Sequence, residues 1–152
     1  MTIFTNRVIN LRRIKAIGFD TDYTLVRYNT KAFEQLTFDV VKNKLVKDKD
    51  FPKEALKLKF NYHKVIRGLV IDRYNGNILK VSSYGKIKQA HHGTQPMKFH
   101  DQQALYRGLT IDLNDENYVS IDTSFSLAHV ILFSNLVELK DKNPSDYPSY
   151  TA

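Results

Sequence analysis

The stretch GLVIDRYNGNILKVSSYGKIKQAHHG, residues 68–93, constrains the fold most. Short β-branched and apolar runs are broken by Asn75-Gly76 and Tyr84-Gly85. Asn and Gly tolerate the positive φ that tight hairpin turns require, and strands joined by so short a link can only run antiparallel. The spacing predicts a meander of three short strands.

Helical patterns flank it. From Thr30 to about Lys47, Phe33, Leu36, Val40, Val41 and Leu45 recur at helical spacing, with lysines filling much of the other face. That is an amphipathic helix. A second, shorter helix is signalled by DFPKEALKLKF, with Asp50 as N-cap and Pro52 in the first turn. Asp101 is placed to cap a brief QQALYR helix ended by Gly108, and Ser124 or Ser126 to cap a longer one in DTSFSLAHVILFSNLVEL. The tail KDKNPSDYPSYTA is polar and reads as loop or frayed end. RGLVID at 67–72 returns as RGLTID at 107–112, an echo too short for a repeat architecture.

Composition narrows the function classes. At 152 residues the chain is the size of one domain, and without cysteine it has neither disulfides nor thiolate metal sites. The longest apolar runs, such as HVILF, are far below the ~20 residues of a membrane span. MTIFTNRVINLRRIK lacks the apolar centre of a secretory signal, so the expected location is the cytoplasm, with no membrane partner. The net charge of +7 is spread over scattered lysines and arginines, without a basic block or a stacking signature. That pattern argues against a specific nucleic-acid partner. No G-x-G-x-x-G, G-x-x-x-x-G-K or G-x-S-x-G occurs. His91 and His92 are adjacent, which in a strand sends them to opposite faces rather than to one ion.

The chemistry is concentrated in KAIGFDTDYTLVRY, residues 15–28. IKAIGF, 14–19, reads as a short buried strand, and Asp20 and Asp22 stand where it runs out. A strand carrying a site at its carboxyl end suits an open α/β sheet, although no clean βαβα alternation continues along the chain. Two like charges this close repel, so chemistry explains the pair better than structure. A carboxylate can attack phosphorus, and a second can serve as acid for the leaving alcohol and base for water. A divalent cation such as Mg²⁺, held by one or two carboxylates, offsets the repulsion between carboxylate and phosphate. Thr24 offers a hydroxyl to orient Asp22.

GFDTDYTL resembles the first motif of the haloacid dehalogenase-like phosphatases. IRGLVID, GNILKVSSYGKIKQAHHG and DTSFSLAH are similar to one branch of them, the cytosolic purine (IMP–GMP-specific) 5′-nucleotidases. The resemblance runs from about Ile14 to Lys142. It implies an α/β fold with a Rossmann-like core, here partial, carrying a β-rich segment and the start of an inserted helical cap. It also implies Mg²⁺ dependence and purine nucleoside monophosphates as substrates. Asp20 would be nucleophile and metal ligand, and Asp22 acid/base and metal ligand through its backbone carbonyl. Thr94 and Gln95 follow HHG where some members carry a base-stacking aromatic, and Asn135 and Glu138 lie where the family's cap begins to touch substrate.

The family's later Ser or Thr, Lys and acidic pair have no counterparts after residue 142, and DLNDEN at 112–117 reads as a loop. The chain therefore resembles the N-terminal part of such an enzyme. The core strand and motif would fall at about 14–28, the helices, meander and start of the cap at about 30–142, and the polar tail at 143–152. Apolar surface left by missing sheet would favour a homo-oligomer. Another small-molecule phosphatase of the superfamily, or a truncated non-catalytic binding module, are the alternatives.

Overall fold

The computed structural model describes residues 11–62, 65–123 and 126–147. As the turn residues require, the meander forms: β1 (Leu69–Asp72), β2 (Asn77–Val81) and β3 (Ile87–His92) are consecutive antiparallel strands. β4 (Gln95–Pro96) and β5 (Tyr118–Ile121) extend it to five strands in the order β4-β3-β2-β1-β5. Asp72 closes the first turn by accepting from the backbone and side-chain amides of Asn75, at 3.0 and 2.7 Å. In the second turn Gly85 has φ +72°, and a Cβ there would lie 2.7 Å from Thr110 Cγ2, so only glycine fits.

Both sheet faces are covered, which is why Val70, Ile71 and Asp72 are consecutively buried. Val70, Leu79 and Ala90, aligned across β1–β3, pack with Tyr106 of α2 (Phe99–Tyr106) and with Ile111. Ile71 and Ile78 face the other way, onto Ile121 and onto Leu127 and Val130 of α3 (Leu127–Lys142). The far side of α3 buries Ala128, Ile131 and Leu132 against Phe38 of α1 (Thr30–Asp48). The chain is thus mixed α/β, layered as α2, sheet, α3 and α1.

Several local expectations are corrected. Residues 14–20 form no ladder, and Ile17 and Phe19 are 71% and 69% exposed. An apolar run becomes a strand only when neighbours pair its N–H and C=O groups, and none of the described strands lies beside it. Asp50 caps nothing: it takes φ +56° just after α1, and Pro52 precedes a 3₁₀ turn, Lys53–Lys57. α2 starts at Phe99 after Lys98, which leaves Asp101 in its first turn. α1 turns inward by Glu34, Phe38, Val41 and Leu45, while Phe33, Leu36 and Val40 stay exposed. Ser126 precedes α3 without a side-chain cap, and Ser124 lies outside the described residues.

Candidate functional site

Asp20 and Asp22 belong to a small turn that fastens itself to the start of α1. Leu25 and Val26 N–H both donate to Thr21 O, and Tyr23 N–H donates to Val26 O at 2.9 Å. This closure holds Tyr23 at φ 60°, a conformation that needs fixing by its surroundings. Its ring lies 5.5 Å from Tyr28, and Tyr28 lies 6.0 Å from Phe33 in the first turn of α1. The Tyr23 hydroxyl meets Thr30 Oγ1 at 2.7 Å, and Asn29 Oδ1 accepts from Ala32 N–H to cap the helix.

Within this turn the Tyr28 hydroxyl donates to Asp22 Oδ1 at 2.6 Å. That bond, more than any other influence, holds the phenol above its ordinary range, so it keeps the proton it donates. Tyr28 thus orients Asp22. Sequence reasoning named Thr24 for that task, and Tyr28, six residues beyond Asp22, was not among its candidates. Asp20, Asp22 and Thr24 are all exposed. The two carboxylates give hard oxygen donors of the kind Mg²⁺ accepts, and among the described residues no cluster of three or more metal-ligating side chains forms.

Of the other named residues, Thr94 and Asn135 line a cavity of about 440 Å³ beneath α3, and Gln95 and Glu138 are joined to it through Thr94. Strand register builds it: Ile78 pairs with His91, Lys80 with Gln89 and with Leu69, and all of these side chains line one wall. Ile131, Ser134 and Asn135 of α3 form another, and Lys59, Asn61, Val65 and Ile66 a third. Thr94 enters at the β3–β4 turn. Its N–H donates to Glu138 Oε1 at 3.2 Å, its hydroxyl donates to the same oxygen, and Gln95 Nε2 reaches Thr94 Oγ1 at 3.4 Å. Gly93, at φ +56°, permits this approach: a Cβ would come within 2.8 Å of Glu138 Cγ.

Thr94, Gln95 and Glu138 are therefore joined, and Asn135 shares the cavity with Thr94. The described lining contains neither Asp20 nor Asp22. It carries Lys59 and Lys80 and no carboxylate, which suits an anion with an apolar body. Sequence reasoning placed none of Lys59, Lys80 and His91 at a cavity, although the alternation that sets Lys80 of β2 and His91 of β3 on one face was readable. Among the described residues no helix is long and apolar enough to cross a membrane.

A profile of the 5′ nucleotidase family matches residues 3–151. The chain is 35% identical over 89 residues, 58% of its length, to human 5′-nucleotidase domain-containing protein 1, of which the match covers 20%. It is 26% identical over 146 residues, 93% of its length, to a 5′-nucleotidase domain-containing protein of Dictyostelium discoideum, covering 24% of that protein. The matched part thus spans a quarter or less of either relative. On this match, which takes in the aspartate motif, the meander and the three helices together, the chain belongs to the 5′-nucleotidase family.

Proposed function

We propose that the chain carries the nucleophile of a Mg²⁺-dependent, haloacid dehalogenase-like 5′-nucleotidase that cleaves purine nucleoside monophosphates, IMP or GMP, in the cytoplasm. The observation that carries this reading is the 2.6 Å bond from Tyr28 to Asp22, which fixes one carboxylate while Asp20 stands exposed two residues earlier. Two neighbouring carboxylates, one fixed and one open, match the division between acid/base and nucleophile.

An Asp20 oxygen attacks phosphorus as the bond from phosphorus to the 5′ oxygen breaks. Asp22 gives its proton to the departing alkoxide. Asp22 then removes a proton from water, whose oxygen attacks the aspartyl-phosphate, releasing inorganic phosphate and restoring the Asp20 carboxylate. Mg²⁺ would be held by the Asp20 carboxylate and the Asp22 backbone carbonyl, and supplies neutralisation of phosphate charge. The lysine-bearing cavity is the place assigned to purine and ribose, with Thr94 and Asn135 in its lining, Gln95 and Glu138 held to Thr94, and Thr24 beside the acid/base.

The test is phosphate release from IMP, GMP, AMP, UMP and a hexose phosphate. It uses the chain alone and the longest natural polypeptide carrying it, with Mg²⁺ and with a chelator. Asp20→Asn is expected to abolish release, and unchanged turnover sinks the nucleophile assignment. Equal turnover of the hexose phosphate would favour another small-molecule phosphatase of the superfamily. The presence of only two carboxylates at the motif favours a second reading, a non-catalytic binding module. It would show neither phosphate release nor Mg²⁺ binding.

A further inference from the structure

His92, at the end of β3, sits between two acceptors. The arrangement starts in the interior, at Asp72, which is 1% exposed. Asp72 accepts from Asn75 N–H, from Asn75 Nδ2 and from the Tyr106 hydroxyl at 2.6 Å. Tyr106 is held well above the usual phenol range by burial and by that carboxylate, so its proton stays directed at Asp72. Its oxygen is left to accept from Asn77 Nδ2, at 2.6 Å. That fixes the amide of Asn77, itself 1% exposed, with Oδ1 pointing outward.

Asn77 Oδ1 meets His92 Nδ1 at 2.6 Å, and Asp141 Oδ2 meets Nε2 at 2.9 Å. Neither oxygen can donate, so both ring nitrogens must carry hydrogen for both bonds to form. Asn77 is 1% exposed, so its carbonyl is shut off from water, whereas the Asp141 side chain is 41% exposed and water can replace His92 there. When the ring loses one proton, it is therefore the one on Nε2 that goes.

We propose that His92 is a proton-operated clamp on the cavity: as imidazolium it ties the end of β3 to Asp141 of α3, and on losing the Nε2 proton it lets that wall loosen. The next residues, Gly93 and Thr94, belong to the cavity lining, and Thr94 is already hung from Glu138 one turn of α3 before Asp141. His92 acts through Asp141 and its own backbone, so it is a positioning residue. The device does not depend on the nucleotidase reading.

Other charged or titratable groups are carried by every element around it except β4. α3 brings His129, Glu138, Lys140 and Lys142 besides Asp141, α2 brings His100, Asp101 and Tyr106, β1 Asp72, β2 Lys80, β3 Lys88 and His91, and β5 Tyr118. Glu138, which contacts Thr94 directly, and His91, an imidazole in the same lining, are the rivals.

The test is NMR of the ¹⁵N-labelled chain from about pH 5.5 to about pH 8.5, the range in which imidazoles change charge. Expected is a ring protonated on both nitrogens at the acid end that loses hydrogen from Nε2 alone. The Thr94 and Asp141 backbone amides should move with the same midpoint. His92→Gln should lose the Thr94 movement; persistence would assign it to another group, such as His91 in the same lining, and overturn the proposal. Loss of hydrogen from Nδ1 first, or a still Thr94 while the ring titrates, would overturn it as well. Should His92→Gln not fold, Asp141→Asn decides: Thr94 is expected to stop following the ring, and an unchanged movement refutes the clamp.

Discussion

Tyr28 is the residue on which the reading of the aspartate pair turns. Tyr28→Phe keeps the ring that touches Tyr23 and Phe33 and removes only the hydroxyl that reaches Asp22. The expected result is a folded protein whose phosphate release falls on the order of tenfold, since a catalytic carboxylate free to swing spends less time in the productive geometry. Steady-state kinetics of the active polypeptide check this, with the loss in kcat rather than KM. Unchanged kcat would make the bond a structural staple of the turn. Asp20 and Asp22 were legible in the sequence because strand-like apolar residues followed by D-x-D-x-T is a local pattern. The Tyr28 bond was not, because it needs the chain to reverse at Tyr23, a non-glycine residue whose positive φ no propensity rule anticipates.

Among the elements, α1 and α3 are held together by a side chain that sequence patterns place in solvent. Glu34 is fully buried and its Oε2 accepts from the Ala128 N–H at 2.6 Å, so a residue of α1 caps α3 across 94 positions of sequence. Ser126 stands at the N-cap but contributes no such bond. Glu34→Ala should cost about 2 kcal/mol, from the lost cap and the void it leaves. Glu34→Gln, which still offers an oxygen, should cost less than half as much, and denaturant midpoints with unchanged m-values would measure both. Equal losses would mean that volume matters and the cap does not.

The same carboxyl predicts a pH dependence. Burial pushes Glu34 above its ordinary value of 4.5, with the N–H groups of Ala128 and Leu127 pulling the other way. A raised carboxyl binds its proton more tightly in the folded state, so the folded chain holds more protons than the unfolded one between 4.5 and the raised value. Its contribution to stability is therefore complete below 4.5 and is lost as pH rises through that window. Thermal unfolding followed across the window should show this fall in the native chain and a flatter profile in Glu34→Gln. Parallel profiles would contradict it.

Over the whole molecule, the side bearing the motif and α1 leaves much apolar surface open. Ile17, Phe19, Leu25, Leu36 and Val40 are 71, 69, 64, 63 and 45% exposed. Apolar exposure on this scale favours association. Sedimentation velocity of the isolated chain is expected to show mass rising with concentration, and Ile17→Ser with Phe19→Ser and Leu36→Gln to reduce it. A monomer at every concentration would remove the case for a homo-oligomer. The helical period in α1 was plain from the sequence, yet Phe33, Leu36 and Val40 point outward. The inward stripe contains Glu34, a residue that no hydrophobic template selects.

The sequence by itself determined what depends on a few consecutive residues. The meander follows from Asn75-Gly76 and Tyr84-Gly85, α1 and α3 from their periodicity, the end of α2 from Gly108 at φ 76°, and the aspartate motif from its own spacing. Only the tertiary structure decided which face of α1 is buried and that 14–20 lies unpaired. It also joined Glu34 to Ala128, Thr94 to Glu138, and His92 to Asn77 and Asp141. The reason is the range of the forces. Turn sterics and helical period act within one or two turns of chain. Contacts spanning 15 to 94 residues exist only after the faces that carry them have docked.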